Sequence, residues 1–459
     1  MGARGIAGAA VYVPHRRLDL STIAGIAGGG GGKGTRAVAG YDEDTTTMGL
    51  EAARALRRLH PDVDPQVLWF STAAPAYADK TNATAIHAAL RLRREVGAFD
   101  AVGAVRSSVG SLFAAMSGRG THLVVSADLR GGMPGGLDEV AFGDGAAALL
   151  IADEDDTPLL ATAIGGGRAT EEFLDRWRTP GDGRSKVWEE RFGETRYVPL
   201  GVAAWEDALK HAELVADQVD HIAIAGTHTR ATAALAKALG AGDRQVAGDL
   251  PGRVGNLGAA QPAALLTAAL EAAQPGQVIA LVVLADGADV VLFRTTEAVA
   301  TWTPLRSVAD AAVSGAPIDY GTYLRWRGLL AVEPPRRPEP ARPSASAAAR
   351  SGDWKFGLVG SSDDAGGVHL PPQPGDGIDV PMSGASGTVA TFTVDRLAYS
   401  PSPPVVFAVV DFDGGGRLPV ELTDVDVDQV QIGARVELTF RKLFTADGIH
   451  NYFWKARVV

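Results

Sequence analysis

The sequence predicts a mixed α/β chain in which a duplicated, layered α/β domain is followed by a small β-barrel. Three observations predict it. A turn–helix–strand–turn–strand unit occurs twice within residues 1–300. The strands of both copies are apolar on both faces, as in a sheet covered on both sides. Past a Pro/Arg/Ser/Ala stretch, EPPRRPEPARPSASAAARSG, the chain changes to short strands with Gly turns.

The first copy reads VRSSVGSLFAAM, THLVVSADLR, FGDGAAALLIAD, and the second reads VGNLGAAQPAALLTAALEAA, QVIALVVLADGADVVLFRT. GDGAAALLI (143–151) and ADGADVVLF (285–293) match most closely, and VLWFSTA (67–73) and HIAIAGTH (221–228) occupy equivalent upstream places. Ala-rich helices let layers pack closely. The halves are expected at about 1–165 and 200–300. Between them, 171–200 is charged, aromatic and turn-rich, which predicts an insertion, in the manner of a lid over a cleft. Residues 301–350 are expected to be a helical segment and a Pro-rich linker. Residues 351–459 hold five or so short strands, which suggest a small Greek-key barrel such as an OB-fold.

Composition narrows the chemistry. The chain has 459 residues, enough for two or three domains, with 46% apolar and 21% charged residues. A net charge of -11 argues against nucleic acid and against an anionic membrane surface. Zero cysteines exclude disulfides, thiolate metal sites and a Cys nucleophile. No apolar run is long enough to span a bilayer and no secretory leader is visible, so the cytoplasm is the expected compartment. The run GGGGGKGT (28–35) lacks the Ser/Thr after Lys and the preceding strand of a P-loop, and is expected to be a flexible loop.

The motifs resemble a known family. GIAGAAVYVPHRRL (5–18), YDEDTTTMGLEAAR (41–54), DKTNATAIHAAL (79–90), VVSADLR (124–130), GDGAAALL (143–150) and VGNLGAAQ (254–261) are similar to the thiolase superfamily. The branch is that of the hydroxymethylglutaryl-CoA synthases and the ketoacyl-carrier-protein synthases III. DYGTYLRWRG (319–328), DWKFGLVG (353–360), GTVATFTVDRLAYSP (387–401) and VDFDGGGRLPVELTD (410–424) resemble the acyl-CoA-associated OB-fold proteins. The resemblance implies a layered α-β-α-β-α domain with an OB-fold after it. It implies a coenzyme A thioester as substrate, at least a homodimer, and room for a larger complex with another thiolase-like subunit.

The resemblance also places Val105 where these synthases carry their nucleophilic Cys, and puts the general-base Glu of hydroxymethylglutaryl-CoA synthases near Ala74, so both are replaced. His228 and Asn256, 28 residues apart, match the His and Asn that polarise the thioester carbonyl, although the usual His-Gln-Ala-Asn signature is missing. Read without the family, His228 is a hydrogen-bonded loop imidazole and Asn256 a helix N-cap. Ser107 and Ser108 are the hydroxyls nearest the vacant position; each would need a base within reach, and capping of the following helix is the competing role. Arg106 and Lys80 are candidate cofactor-binding contacts, to a phosphate or a carboxylate, or else partners in surface pairs.

The zinc ribbon of the OB-fold relatives would fall at SSDDAGG (361–367) and QPGDGID (373–379). Asp363, Asp364, Asp376 and His369 stand there without a thiolate, so no zinc is expected. Two functions are open. One is an enzyme that makes or breaks a C–C bond beside a thioester without a Cys acyl-enzyme, an acyltransferase or an aldolase/lyase. The other is a catalytically silent acyl-CoA-binding scaffold or partner of a separate thiolase.

Overall fold

The computed structural model describes residues 3–246 and 250–459. Residues 1, 2 and 247–249, all within the expected first domain, lie outside the described residues.

The internal repeat becomes two copies of one strand arrangement. In the first, His122–Asp128 pairs parallel with Val67–Thr72 and antiparallel with Gly145–Asp153. In the second, Val278–Leu284 pairs parallel with His221–Gly226 and antiparallel with Ala288–Thr295. Arg4–Tyr12 and Ala161–Ala169 join the two halves through Gly5–Thr162 and Ile6–Ala161 alone, so a single nine-stranded sheet results. A Cβ on Gly5 would sit 2.0 Å from the Ala161 carbonyl oxygen, so this junction needs glycine.

Helices Arg106–Ser117 and Gln261–Ala272 pack against strands of both halves. The second is buried at nine positions, mostly Ala and Leu, as an interior helix must be. Helix Thr45–Leu59 covers one outer face, with Asp44 as a capping-box N-cap. Helix Glu190–His211 covers the other, packing on Ala161–Ala169 and Ala288–Thr295. The layers therefore run α-β-α-β-α. Helix Glu190–His211 begins inside the stretch read as an insertion, which leaves the two short strands Arg176–Trp177 and Lys186–Val187 as its irregular part.

Strand Ala316–Ile318 pairs back onto Arg16–Asp19, and helices Val308–Val313 and Tyr320–Trp326 flank it. After the Pro-rich segment, Val359–Ser362, Val368–His369 and Ile378–Pro381 form a three-stranded sheet. Ser386–Asp395, Val405–Phe412, Arg417–Leu422, Ile449–Val458 and Arg435–Ala446 then close a barrel in that order.

The barrel is joined to the first domain through a buried interface. Leu50 and Leu56 share one apolar cluster with Val389, Phe440 and Trp454. Arg54 donates to the Leu438 and Ser383 carbonyls at 3.0 and 2.6 Å and lies 4.6 Å over the Trp454 ring. Beside it Arg441, fully buried, meets Glu43 at 3.2 Å and Asp424 at 2.9 Å, while Lys455 meets Asp42 at 2.9 Å and also Glu421. Buried charges are tolerated only when paired, so this network fixes one orientation of the barrel.

Candidate active site

Val105 sits on the turn between strand Gly97–Val102 and helix Arg106–Ser117, as the N-cap residue of that helix. Gly103 makes the turn with φ +109°, a conformation that glycine adopts without strain. The Val105 side chain is 8% exposed and joins the core cluster beneath. Its turn forms one wall of a cleft of about 90 Å³. Arg130, Arg178, Tyr197, Thr227 and Asp286 are among the other walls.

His228 is 6% exposed and caps helix Thr229–Ala238, accepting the Ala231 amide through Nδ1 at 3.1 Å. That bond leaves the proton of the neutral ring on Nε2. Nε2 points toward Gly193, where a Cβ would fall 2.7 Å from it and 2.5 Å from Asp175 Oδ1. Gly193 thus clears the space between an imidazole and a carboxylate. Asp175 is 2% exposed, and its Oδ1 has no hydrogen-bond partner among the described residues. Burial raises its pKa above the ordinary carboxylate value, against the pull of His228 and Arg176. The Tyr197 ring lies edge-on to His228 at 6.0 Å. The Tyr197 hydroxyl accepts the Asp286 amide at 3.2 Å, and burial raises the pKa values of both side chains.

Asn256 is half-buried and tied down. Its Nδ2 donates to the Gly226 carbonyl at 2.8 Å and its Oδ1 accepts the Gly258 amide at 2.9 Å. These bonds fix the end of the strand that leads into His228 and leave one amide hydrogen over. Ser108 donates to the Val105 carbonyl at 2.9 Å, and the Ser107 carbonyl accepts the Ser111 hydroxyl at 3.1 Å. Neither Ser107 nor Ser108 has a hydrogen-bonded imidazole or carboxylate among the described residues, so neither hydroxyl has the base that attack requires. Arg106 is held by Asp289 at 2.8 Å, the Asp286 carbonyl at 2.6 Å and Thr170 at 2.8 Å, which pins the Val105 turn to the Asp-Gly turn of the second half.

Lys80 lies elsewhere. It lines a cavity of about 340 Å³ between helix Ala83–Ala89 and the barrel, with Tyr77, Phe356, His450 and Tyr452. Its ammonium donates to Thr81 and Thr84, both at 2.9 Å.

Sequence reasoning missed Asp175, Arg130, Arg178, Tyr197 and Asp286. Three of these come from the insertion and the helix that continues it. Only a solved topology shows that 171–200 folds back onto the Val105 turn.

In place of the zinc ribbon, Asp376 accepts from Ser361 and from His369 Nδ1, the latter at 2.7 Å. Asp376 is thus already engaged, no thiolate is available, and no metal-holding group of three or more His, Asp or Glu exists among the described residues. These residues do not fit a tetrahedral zinc site. No helix among the described residues is long and apolar enough to cross a membrane.

The chain is similar to known proteins over both parts. Residues 379–441 match the family of the ChsH2 C-terminal OB-fold domain. The hydroxymethylglutaryl-CoA synthase of Pyrococcus furiosus is 28% identical over 339 residues, covering 70% of this chain and 95% of that enzyme. The one from Aeropyrum pernix is 29% identical over 351 residues, covering 72% and 95%. Among solved structures, MvaS in complex with 3-hydroxy-3-methylglutaryl coenzyme A superposes with a TM-score of 0.58 at 24% identity, covering 75% of this chain and 95% of that one. The 3-oxoacyl-[acyl-carrier-protein] synthase III of Aquifex aeolicus gives 0.53 at 20% identity, covering 63% and 99%.

Proposed function

We propose that this chain, a thiolase-fold domain of the hydroxymethylglutaryl-CoA-synthase-like branch with an OB-fold domain fused to it, is an acyl-CoA-processing enzyme. It makes or breaks a C–C bond next to the thioester without an acyl-enzyme. The observation that carries this reading is His228 and Asp175, both buried and facing each other across Gly193, each next in sequence to a residue, Thr227 or Arg176, that lines the cleft at the Val105 turn.

The chemistry follows from the pair. His228, with its Nε2 proton, donates to the thioester oxygen as negative charge develops there. A fixed donor in a dry site is worth several kcal/mol at that moment. Asp175, its pKa raised by burial, takes or returns the proton. In the cleavage direction Asp175 removes the β-hydroxyl proton, the hydroxyl carbon becomes a carbonyl, the Cα–Cβ bond breaks, its electron pair moves onto the thioester oxygen as an enolate, and Asp175 returns the proton to Cα. Reversal of the same steps forms the bond. Asn256 holds the Gly226 carbonyl and so positions the His228 turn. Arg106 braces the Val105 turn rather than meeting a phosphate. Lys80, in the cavity beside the barrel, remains the cation offered to the CoA end.

The scaffold alternative is not favoured, because a buried dyad with an unpartnered carboxylate oxygen is costly to maintain for packing alone. The chain works as at least a homodimer, and edge strand Gly97–Val102, with Phe99 and Val102 exposed, is the surface on offer.

The test is turnover of an acyl-CoA panel followed by mass spectrometry. The wild type converts at least one thioester, and His228→Ala lowers the rate by about 10²–10³-fold. Full activity of His228→Ala would overturn the assignment.

A further inference from the structure

We infer that the cavity between helix Ala83–Ala89 and the barrel is a second ligand site, which takes a planar aromatic ring carrying an anionic group. It shares no lining residue with the Val105 cleft, and the inference does not rest on the chemistry proposed there.

Ligand pockets favour domain boundaries, where two surfaces meet without filling the space between them. This cavity draws its walls from both domains, and its rings are held from behind. The Tyr77 hydroxyl accepts the His450 amide at 2.7 Å, and the two rings lie 4.9 Å apart. Tyr452 donates to Asp44 at 2.7 Å, and its ring meets His450 edge-on at 6.0 Å. Burial, with Lys442 nearby, holds the His450 pKa below the ordinary imidazole value, so this ring is neutral near pH 7. Ala85 and Ala88, one turn apart on helix Ala83–Ala89, add only methyl groups to the wall. Fixed rings beside bare methyls give a flat ligand ring a place to stack, since aromatic pairs settle at centroid separations of about 4.5–7 Å.

Lys80 supplies the charge. Its ammonium has two neutral acceptors, the Thr81 carbonyl and the Thr84 hydroxyl, and no ion pair among the described residues. Asp100 attracts it from a distance, but that carboxylate is taken up by the Asn82 and Ala83 amides at 2.6 and 2.7 Å. Partial burial lowers the Lys80 pKa, so the chain leaves this charge undercompensated. An anionic oxygen is the better partner, because a charge-assisted bond is about twice as strong as a neutral one. Thr46 adds a second polar group. It is 1% exposed on the cavity wall and makes no well-formed hydrogen bond among the described residues, its contact with the Tyr452 hydroxyl being a loose one.

Ligand-observed NMR titration tests the inference with two probes that share this chemistry and differ in source. Adenosine 3′,5′-bisphosphate is the nucleotide end of coenzyme A, and benzoate stands for a free aromatic acid. Adenosine and benzamide are their uncharged counterparts. At least one anionic probe should bind the wild type roughly tenfold or more tighter than its counterpart. Lys80→Met should remove that difference, and Ala88→Leu, which keeps a good helix former, should weaken binding by filling the slot. Binding of the bisphosphate alone assigns the site to the coenzyme, of benzoate alone to a free acid, and of both to the shared chemistry. Absence of binding by both probes, equal affinity for the uncharged counterparts, or binding unchanged in either variant would overturn the inference. None of these results reads turnover, so failure here leaves the thioester reading, tested by His228→Ala, standing.

Discussion

Asp175 and Glu43 show how burial sets proton affinity in this chain, one at the cleft and one at the domain junction. Burial raises Asp175, and neither His228 nor Arg176 fully offsets it. If the ionised form is the base, activity rises with pH through a value above the ordinary carboxylate range. Asp175→Asn should lose that limb of the kcat profile and about 10² or more in rate; an unchanged profile would remove Asp175 from the mechanism. Glu43 is pushed up to about 7 by burial, although Arg441 lies 3.2 Å away, because Asp424 and Asp42 share that arginine. A raised pKa means the folded state holds the proton more tightly. Its stabilising contribution is full below the ordinary Glu value and is lost as pH rises through about 7. The stability difference between wild type and Glu43→Gln should therefore fall as pH rises from about 4.5 to about 7, measured by denaturant unfolding. A flat difference would mean that Glu43 is ionised throughout.

At the scale of elements, helix Thr45–Leu59 carries two loads. One face covers the sheet and the other seats the barrel through Arg54 and Glu51. Glu51 is held down to about 2; burial alone would raise it, but Arg54 outweighs that, with Arg441 and Arg457. Arg54→Ala strands the buried Glu51 carboxylate and the Leu438 and Ser383 carbonyls, and should cost about 3–5 kcal/mol. A loss below about 1 kcal/mol would show that the barrel docks without it. The strand–helix alternation, the repeat and the barrel strands were legible because each has a period or a punctuation of its own. The first strand of the barrel reads GTVATFTV, and the structure runs it over Ser386–Asp395. The insertion was not legible in this sense. Its residues have no period, and their partners, such as Ala73 for Arg178 and His228 for Asp175, are far away in sequence. Ser107 and Ser108 became candidates by proximity to Val105 along the chain, which says nothing of direction, and helix geometry turns the Ser108 hydroxyl back to the Val105 carbonyl.

For the whole molecule, the fold is that of the thiolase-like structures it superposes on, and the turn where the sequence resemblance expects a nucleophile holds a buried valine. The family resemblance supplied His228 and Asn256, and the structure places them differently, with the imidazole turned toward a carboxylate across Gly193 and the amide holding the Gly226 carbonyl. The barrel is held by buried ion pairs, so it is a fixed part of the molecule and not a tethered arm. The central claim is chemistry on a thioester without a covalent acyl-enzyme. It is tested most directly by intact-protein mass spectrometry of the wild type quenched during turnover, with Val105→Cys as the control for access. The account predicts product formation with no acyl mass added to the wild type, and an acyl adduct on Val105→Cys. An acyl adduct on the turning-over wild type would contradict it.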